Sequence, residues 1–236
     1  MNGLLVRVGA DRGSGGGSWN GPIDLVSQKF AYVAIPEGCA VHAGFEKPYA
    51  VLTPALAQFG VELPAHLRAR HMHLDPDFEH LTYGDQGERA KQLRNNLGAG
   101  DLVVFYAGLA NSNTAARLVY GLIGLFVVER MMLAVDIPDN DRDLNAHSRR
   151  VLPRDAEDLI VFARKSISGR FDRCLPVGEF RDRAYRVKPD ILEEWGGLSV
   201  KDGYIQRSAR LPRLLDPLRF LRWLDRQEVK LVAVNN

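Results

Sequence analysis

The densest group of chemically versatile side chains in this sequence lies between His71 and Asp85, in the stretch HMHLDPDFEHLTYGD. It holds three histidines, four carboxylates and Tyr83 within fifteen residues. A carboxylate can activate water and stabilise a cationic sugar, which are the two tasks of glycosidic-bond hydrolysis. Asp77 and Glu79 are candidates for these roles, because neither precedes an obvious helix that it could cap. Asp85 does precede one, so it is predicted to be a helix N-cap.

The histidines of this stretch raise the question of a metal ion. His71, His73 and Asp75 alternate, so on a strand their side chains would point the same way and could ligate one ion. They nearly match the H-x-H-x-D-H pattern of metallo-β-lactamase-like hydrolases, but the last position is Pro76. That family supplies further ligands well downstream, where His147 is the one candidate histidine. We therefore predict a site without metal or other cofactor, and keep a metal-dependent hydrolase that uses these three residues as an alternative.

A glycine-rich segment after the first predicted strand is expected to form the other wall of the site. It lacks both the G-x-G-x-x-G fingerprint and the lysine of a P-loop, which argues against a nucleotide cofactor. Its flexible backbone could still approach a ligand closely. Asp11, at the end of the strand, is therefore a third catalytic candidate. Four residues are predicted to hold a base by stacking or hydrogen bonding: Trp19, Asn20, Tyr83 and Tyr106.

Charge is distributed unevenly along the chain. Residues 162–222 carry fourteen Lys and Arg against eight Asp and Glu, a local charge of +6, whereas residues 1–161 carry −4. This asymmetry indicates a polyanion-binding surface beside an acidic site, although a plain solvated face has the same pattern. Arginines among small hydroxyl residues are typical of contacts to a nucleic-acid backbone. The predicted contacts to double-stranded DNA are Arg164, Lys165, Arg170, Arg207, Arg210 and Arg213.

Hydrophobic periodicity predicts a single α/β domain over residues 1–236, with a mixed central sheet flanked by helices. Strands are expected over residues 4–8, 30–35, 101–107 and 118–129, and helices over 50–59, 86–97, 189–195 and 214–226. Residues 156–164 fit either state. The longest apolar run, residues 118–128, is shorter than the roughly 20 residues that cross a bilayer. With no signal-peptide pattern and only two cysteines, we expect a cytoplasmic protein without membrane contact or an obligate protein partner.

Several motifs together resemble the third nucleotide-modification-associated domain family of bacteria and phages. They are VRVGAD near the start, the glycine-rich loop ending in Trp19 and Asn20, IPE at residues 35–37, HLDPDFEHLTYGD, GDLVVFYAGL, GLIGLFVVE and the late QRS. The resemblance covers nearly the whole chain. It implies an association with hypermodified DNA and a link to anti-phage DNA glycosylases that remove modified bases, such as glucosylated hydroxymethylcytosine, and leave abasic sites.

A base-excising enzyme must extrude the nucleotide from the duplex, which costs a few kcal/mol that pocket and phosphate contacts recover. Cleavage of the C1′–N bond passes through a cationic sugar, so an adjacent carboxylate is the main requirement. The competing interpretation is a reader that binds modified bases without chemistry, since the two central strands also resemble the small barrel of PUA-like domains.

Overall fold

The computed structural model of the chain describes residues 1–10, 19–112, 117–206 and 210–236, and these residues form a mixed α/β fold as predicted. The described strands are β1 (Gly3–Arg7), β2 (Pro22–Ile23), β3 (Ile35–Pro36), β4 (Met72–His73), β5 (Thr82–Asp85), β6 (Leu102–Asn111), β7 (Val119–Leu133), β8 (Leu159–Ala163), β9 (Gly169–Pro176), β10 (Gly178–Arg181), β11 (Ala184–Val187) and β12 (Leu231–Val232). The described α-helices are α1 (Thr53–Ala57), α2 (Gly87–Asn96), α3 (Ala146–Arg149), α4 (Pro189–Glu194) and α5 (Pro217–Asp225). None of the helices in these ranges is long and apolar enough to cross a membrane.

The central sheet is organised around β6 and β7, which pair antiparallel. β1 and β2 both run parallel to β6, so the sheet is mixed. The other edge of β7 is shared, because its first half pairs with β9 and its second half with β8. β5 continues the sheet beyond β8, and β12 beyond β9. The shared edge brings β5, with its cluster of polar residues, next to the core of the fold.

Strand β6 shows why the sheet is covered on both faces. All residues from Leu102 to Leu109 are buried, as expected for a continuous apolar run between two layers. Alternate side chains enter different cores: Val103 and Phe105 pack in one hydrophobic cluster, and Val104 and Tyr106 in the other. The two clusters therefore lie on opposite faces of the sheet. The first cluster also contains Tyr83, from the polar stretch between His71 and Asp85.

The C-terminal residues complete both cores. Trp195, directly after α4, packs edge-on against Phe220 and Trp223 of α5, with ring centroids 5.1 and 5.2 Å apart. The amphipathic helix predicted here is confirmed, but it starts later, at Pro217. Near the end of the chain, the Asn235 side chain accepts a hydrogen bond of 2.8 Å from the backbone amide of Phe78. The last residues thus cover the loop that follows β4.

Two parts of the secondary structure differ from the sequence prediction. Within residues 30–35 only Ile35 lies in a strand. The backbone groups of this segment form hydrogen bonds mainly with loops; for example, the Val33 carbonyl oxygen accepts from the backbone amide of Ala10. Strands β9 to β11 were not predicted, since charged residues interrupt their apolar alternation. Residues 156–164, which fitted either state, contain strand β8.

Gly121 of β7 is required by close packing against β9. A methyl group at this position would overlap the buried Cys174 sulfur and lie 2.9 Å from the Leu175 carbonyl oxygen. We expect Gly121→Ala to lower the free energy of unfolding by about 1–3 kcal/mol, the usual cost of overpacking a core. Chemical denaturation would measure it, with Gly98→Ala as the matched control because nothing lies within 4 Å of the added methyl there. Equal denaturation midpoints for the two variants would contradict this packing.

Candidate functional site

Asp75 lies at the centre of a buried polar cluster. It follows β4, which carries His73, and it is joined to Pro76 by a cis peptide bond. The backbone amide of Gly84 in β5 donates to both carboxylate oxygens of Asp75, at 2.9 and 3.0 Å. The carboxylate is therefore held at the junction between β4 and β5, with its orientation fixed by the backbone of a sheet strand.

Helix α3 adds His147 to this cluster. Asn145 caps the helix by accepting from the His147 backbone amide at 2.9 Å, while its own amide donates to Asp75 Oδ1 at 2.9 Å. One side chain thus fixes both the helix start and the carboxylate. The approach also requires Gly84, because a methyl group there would overlap the His147 ring and lie 2.6 Å from Asn145 Oδ1.

Each of the two histidines is paired with its own carboxylate. His73 Nδ1 lies 2.7 Å from Glu37 Oε2, and His147 Nδ1 lies 2.5 Å from Asp158 Oδ1. Arg150 lies between the pairs, donating to Glu37 Oε1 at 2.9 Å with its other terminal nitrogen 3.8 Å from Asp158. A carboxylate accepts from a protonated Nδ1, and in a neutral imidazole with this tautomer the free lone pair is on Nε2.

Burial dominates the protonation of this cluster. It lowers the pKa of His73 to about 4 and raises the pKa of Asp75 to about 7. Burial would also raise the pKa of Glu37, but hydrogen bonds from His73 and Arg150 outweigh it and hold that pKa well below the usual value. Near pH 7 the His73 imidazole is therefore neutral, while Glu37 is ionised.

The cluster forms one wall of a cavity of about 230 Å³, whose opposite side is charged. Arg7 and Gly9 line it from the end of β1, Asp85 from the end of β5 and Arg89 from the first turn of α2. Asp85 Oδ2 lies 2.8 Å from Arg89 Nε and also accepts a hydrogen bond from the hydroxyl of Tyr83. The cavity therefore presents two carboxylates, those of Asp75 and Asp85, to whatever enters.

Asp85 has a different place from the one that the sequence predicts. The N-cap of α2 is Gln86, without a side-chain capping hydrogen bond. Asp85 instead ends β5 and belongs to the cavity wall, where Tyr83 and Arg89 hold its carboxylate. The prediction of a helix cap is therefore wrong, since a polar residue before a helix can also end a strand.

The catalytic candidates of the sequence analysis lie apart from the cavity lining or outside the described residues. Asp77 is buried and accepts from Arg149 Nη2 at 2.7 Å and from Asn235 Nδ2 at 3.2 Å. Burial opposes its ionisation, but hydrogen bonds from His80 and Arg149 lower its pKa to about 2. Glu79 is exposed at the surface. Asp11 belongs to residues 11–18, outside the described part, and its catalytic role stays a prediction.

Of the four predicted base-binding residues, Tyr83 lines the cavity. Trp19 is half-buried against the first hydrophobic cluster, and the Asn20 amide donates to the Gly108 carbonyl oxygen at 2.8 Å. The Tyr106 hydroxyl donates to the carbonyl oxygen of Ile205 at 2.8 Å, within the second cluster. These three residues therefore support the fold around the site, and a role in holding a base stays a prediction for them.

The predicted DNA-backbone residues divide into exposed and buried ones. Arg164 and Lys165 are exposed in the turn between β8 and β9, and Arg210 and Arg213 are exposed before α5. Arg170 is buried: its guanidinium donates to the Val234 carbonyl oxygen at 3.0 Å and lies over the Phe30 ring. Arg170 therefore contributes little to a basic surface. Arg207 is outside the described residues.

Sequence reasoning missed several residues that the fold brings to the cavity. His147 was noted only as a possible distant ligand, and the structure places it beside His73 and Asp75, whereas His71 is exposed and outside the cluster. Glu37 gave no chemical signal because its partners, His73 and Arg150, are distant in the sequence, and Asp158 was not recognised although His147 lies only eleven residues before it. Arg7 was also missed, although the sequence does contain a signal for it, because a charged residue is unusual inside an apolar strand.

The fold and the cavity define a class of protein: an α/β domain with a buried histidine and carboxylate cluster facing a charged cavity of the size of a base or a sugar. The family model for nucleotide modification associated domain 3 matches residues 2–214. The chain therefore belongs to the nucleotide modification associated domain 3 family, as the motifs predicted. No curated protein and no solved structure gives a significant match to the chain.

Proposed function

We propose that this chain is a DNA glycosylase, which hydrolyses the N-glycosidic bond of a hypermodified base in double-stranded DNA. The observation that carries this proposal is the pair of carboxylates, Asp75 and Asp85, that line one small cavity in a member of a nucleotide-modification family. Asp11, Asp77 and Glu79 were the candidates from the sequence. Because Asp77 and Glu79 do not line this cavity, we assign their proposed roles to Asp75 and Asp85, and Asp11 stays a candidate.

The chemistry requires a stabiliser for the cationic sugar and a group that prepares water. Hydrolysis adds the hydroxyl of water to C1′ and its proton to the departing base nitrogen. Asp85, at the cavity wall, is suited to face the cationic sugar, because charge stabilisation needs a fixed carboxylate close to C1′. The His147 and Asp158 pair, beside Asp75, is suited to prepare the water, since a carboxylate orients an imidazole for proton transfer.

The polar lining of the cavity suits the kind of base that the family resemblance implies. Its volume of about 230 Å³ is below the ~300–1,000 Å³ of pockets for drug-sized ligands, so it suits a single extruded base or a sugar. Arg7, Arg89 and Arg150 line it and offer many hydrogen-bond donors. A hydroxyl-rich modification such as glucose would find acceptors in the carboxylates and donors in these arginines.

Incubating the protein with duplex DNA that carries glucosylated hydroxymethylcytosine tests the proposal. The expected products are the free modified base, detected by mass spectrometry, and abasic sites that break in alkali, with unmodified DNA of the same sequence left intact. Tight binding of the modified duplex without release of a base would instead make the chain a reader. If the protein neither binds nor cleaves DNA across a panel of modified bases, the whole proposal is overturned.

Binding of the duplex is expected to depend on salt through the exposed basic residues. Each phosphate contact adds about −0.9 to the slope of log affinity against log salt concentration. Arg164→Gln combined with Lys165→Gln is therefore expected to make the slope shallower by up to about 2 units, measured by fluorescence anisotropy. Arg68→Gln, an exposed arginine paired with Glu62, is the matched control. An unchanged slope in the double variant would remove this turn from the proposed DNA surface.

A further inference from the structure

We propose that His73, Asp75 and His147 bind a divalent first-row transition metal ion. One ligand atom from each residue lies within 4.8 Å of the others, and all three side chains are buried. Metal binding itself does not depend on the proposed glycosylase activity; only the role of the ion in hydrolysis rests on it. The ligand set differs from the His71, His73 and Asp75 alternative of the sequence analysis, because His147 replaces the exposed His71.

The hydrogen bonds around the two imidazoles present the correct atoms. Nδ1 of each ring is paired with a carboxylate, Glu37 for His73 and Asp158 for His147, so Nε2 is the atom left for a ligand. Within the described residues, neither Nε2 atom makes a hydrogen bond, and His147 Nε2 lies 3.8 Å from Asp75 Oδ2. Histidines that bind metals nearly always have such a carboxylate or carbonyl partner on the second ring nitrogen.

The third ligand is held equally firmly. Asp75 Oδ1 accepts from the Gly84 amide and from Asn145, whereas Oδ2, among the described residues, accepts from Gly84 alone and lies 3.8 Å from His147 Nε2. Ligands at ~2.0–2.2 Å from a tetrahedral ion are about 3.3–3.6 Å apart, so separations of up to 4.8 Å would have to shorten by at most about 1.2–1.5 Å. Modest rotation of the two rings can provide a shift of this size.

The charge around the rings also favours a cation. Three carboxylates, Glu37, Asp75 and Asp158, surround the two imidazoles, and Arg150 lies within ion-pair distance of Glu37 and Asp158. A divalent ion between the two rings would be attracted by the carboxylates that surround them. Two histidines and one carboxylate suit zinc or ferrous iron, whereas Mg²⁺ and Ca²⁺ prefer oxygen ligands alone.

The cavity supplies the open coordination position that distinguishes a catalytic metal site. Three protein ligands leave at least one position for water, and a bound ion lowers the pKa of that water towards neutrality. The two histidines and Asp75 line the same cavity as Asp85. With an ion bound, His147 would be a ligand and not a base, so in the proposed reaction the ion would hold the attacking water while Asp85 faces the sugar.

Calorimetric titration of metal-free protein with Zn²⁺, and anaerobically with Fe²⁺, tests the site without any DNA. One ion per chain is expected, with affinity reduced at least 100-fold in His147→Ala and 10- to 100-fold in Asp158→Asn, the usual range for a second-shell partner. His66→Ala, which removes an exposed histidine, is the matched control, and His71→Ala should also bind normally. Absence of stoichiometric binding by either ion, or loss of binding in His71→Ala, would overturn this ligand set.

Two further measurements distinguish failure of the metal site from failure of the proposed glycosylase activity. The visible absorption of Co²⁺ bound to the wild-type chain reports nitrogen and oxygen ligation, so the test stands even if a ligand variant fails to fold. Cleavage of modified DNA that persists in chelator would overturn the metal's role in hydrolysis, whereas metal binding without any cleavage would count against the glycosylase proposal alone.

Discussion

Replacing Asp85 by asparagine is expected to lower the rate of base release from modified DNA by about 100- to 10,000-fold, the range for losing a catalytic acid, base or charge stabiliser. The reason is geometric. Asp85 is a cavity-lining carboxylate outside the buried cluster around Asp75, so it can approach a sugar directly. Asparagine keeps the shape and the contact to Tyr83 but removes the negative charge. Single-turnover kinetics with a modified duplex would measure the loss.

The matched control for this prediction is Glu88→Gln. Glu88 lies three residues further along the chain, in the first turn of α2, but pairs with Lys91 at the surface and does not line the cavity. Its release rate should stay within about twofold of wild type, and DNA affinity should change little in either variant. A full release rate in Asp85→Asn, with the variant folded by circular dichroism, would exclude Asp85 as the stabiliser and return attention to Asp11.

Arg149→Met is expected to lower the free energy of unfolding by about 3–5 kcal/mol, the cost of breaking a buried ion pair from one side. Arg149 Nη2 is 2.7 Å from Asp77 Oδ2, and both side chains are almost completely buried. Without the guanidinium, Asp77 would be left ionised in the core or would have to take up a proton. Denaturant unfolding followed by circular dichroism would measure the difference.

Two variants separate this explanation from a simple loss of packing. Arg226→Met removes an arginine from a half-exposed pair with Glu194, for which about 0–1 kcal/mol is expected. Adding Asp77→Asn to Arg149→Met should restore part of the stability, because a neutral amide no longer needs a cation. If the double variant were less stable than Arg149→Met, the uncompensated charge of Asp77 would not be the cause.

The parts of the fold that the sequence predicted are those with local signals. The runs at residues 101–107 and 118–129 are continuous and apolar, and they became the central pair β6 and β7. Residues 30–35 have the same composition but bond mainly to loops, because strand formation needs a partner that composition does not specify. The charged residues in β9 face solvent or pair with backbone, so they hid its strand pattern.

The site was predicted only where its residues are close in the sequence. His73, Asp75 and Tyr83 were recognised as a group, and they line the cavity. His147 is more than seventy residues away from Asp75, and the capping of α3 by Asn145 is what brings it there. Asp77 looked catalytic because a buried ionised carboxylate and a catalytic one have the same sequence signature. Only the position of Arg149 identifies it as a structural ion pair.

The C-terminal segment has a practical consequence for anyone who defines this domain by its family match. The match ends at residue 214, yet Phe220 and Trp223 cover Trp195, and Asn235 bonds to both the Phe78 backbone and the Asp77 carboxylate. A fragment trimmed at that limit would expose an aromatic core and loosen the loop that carries Asp75. The recognisable family segment is therefore shorter than the unit that must be expressed to study the site.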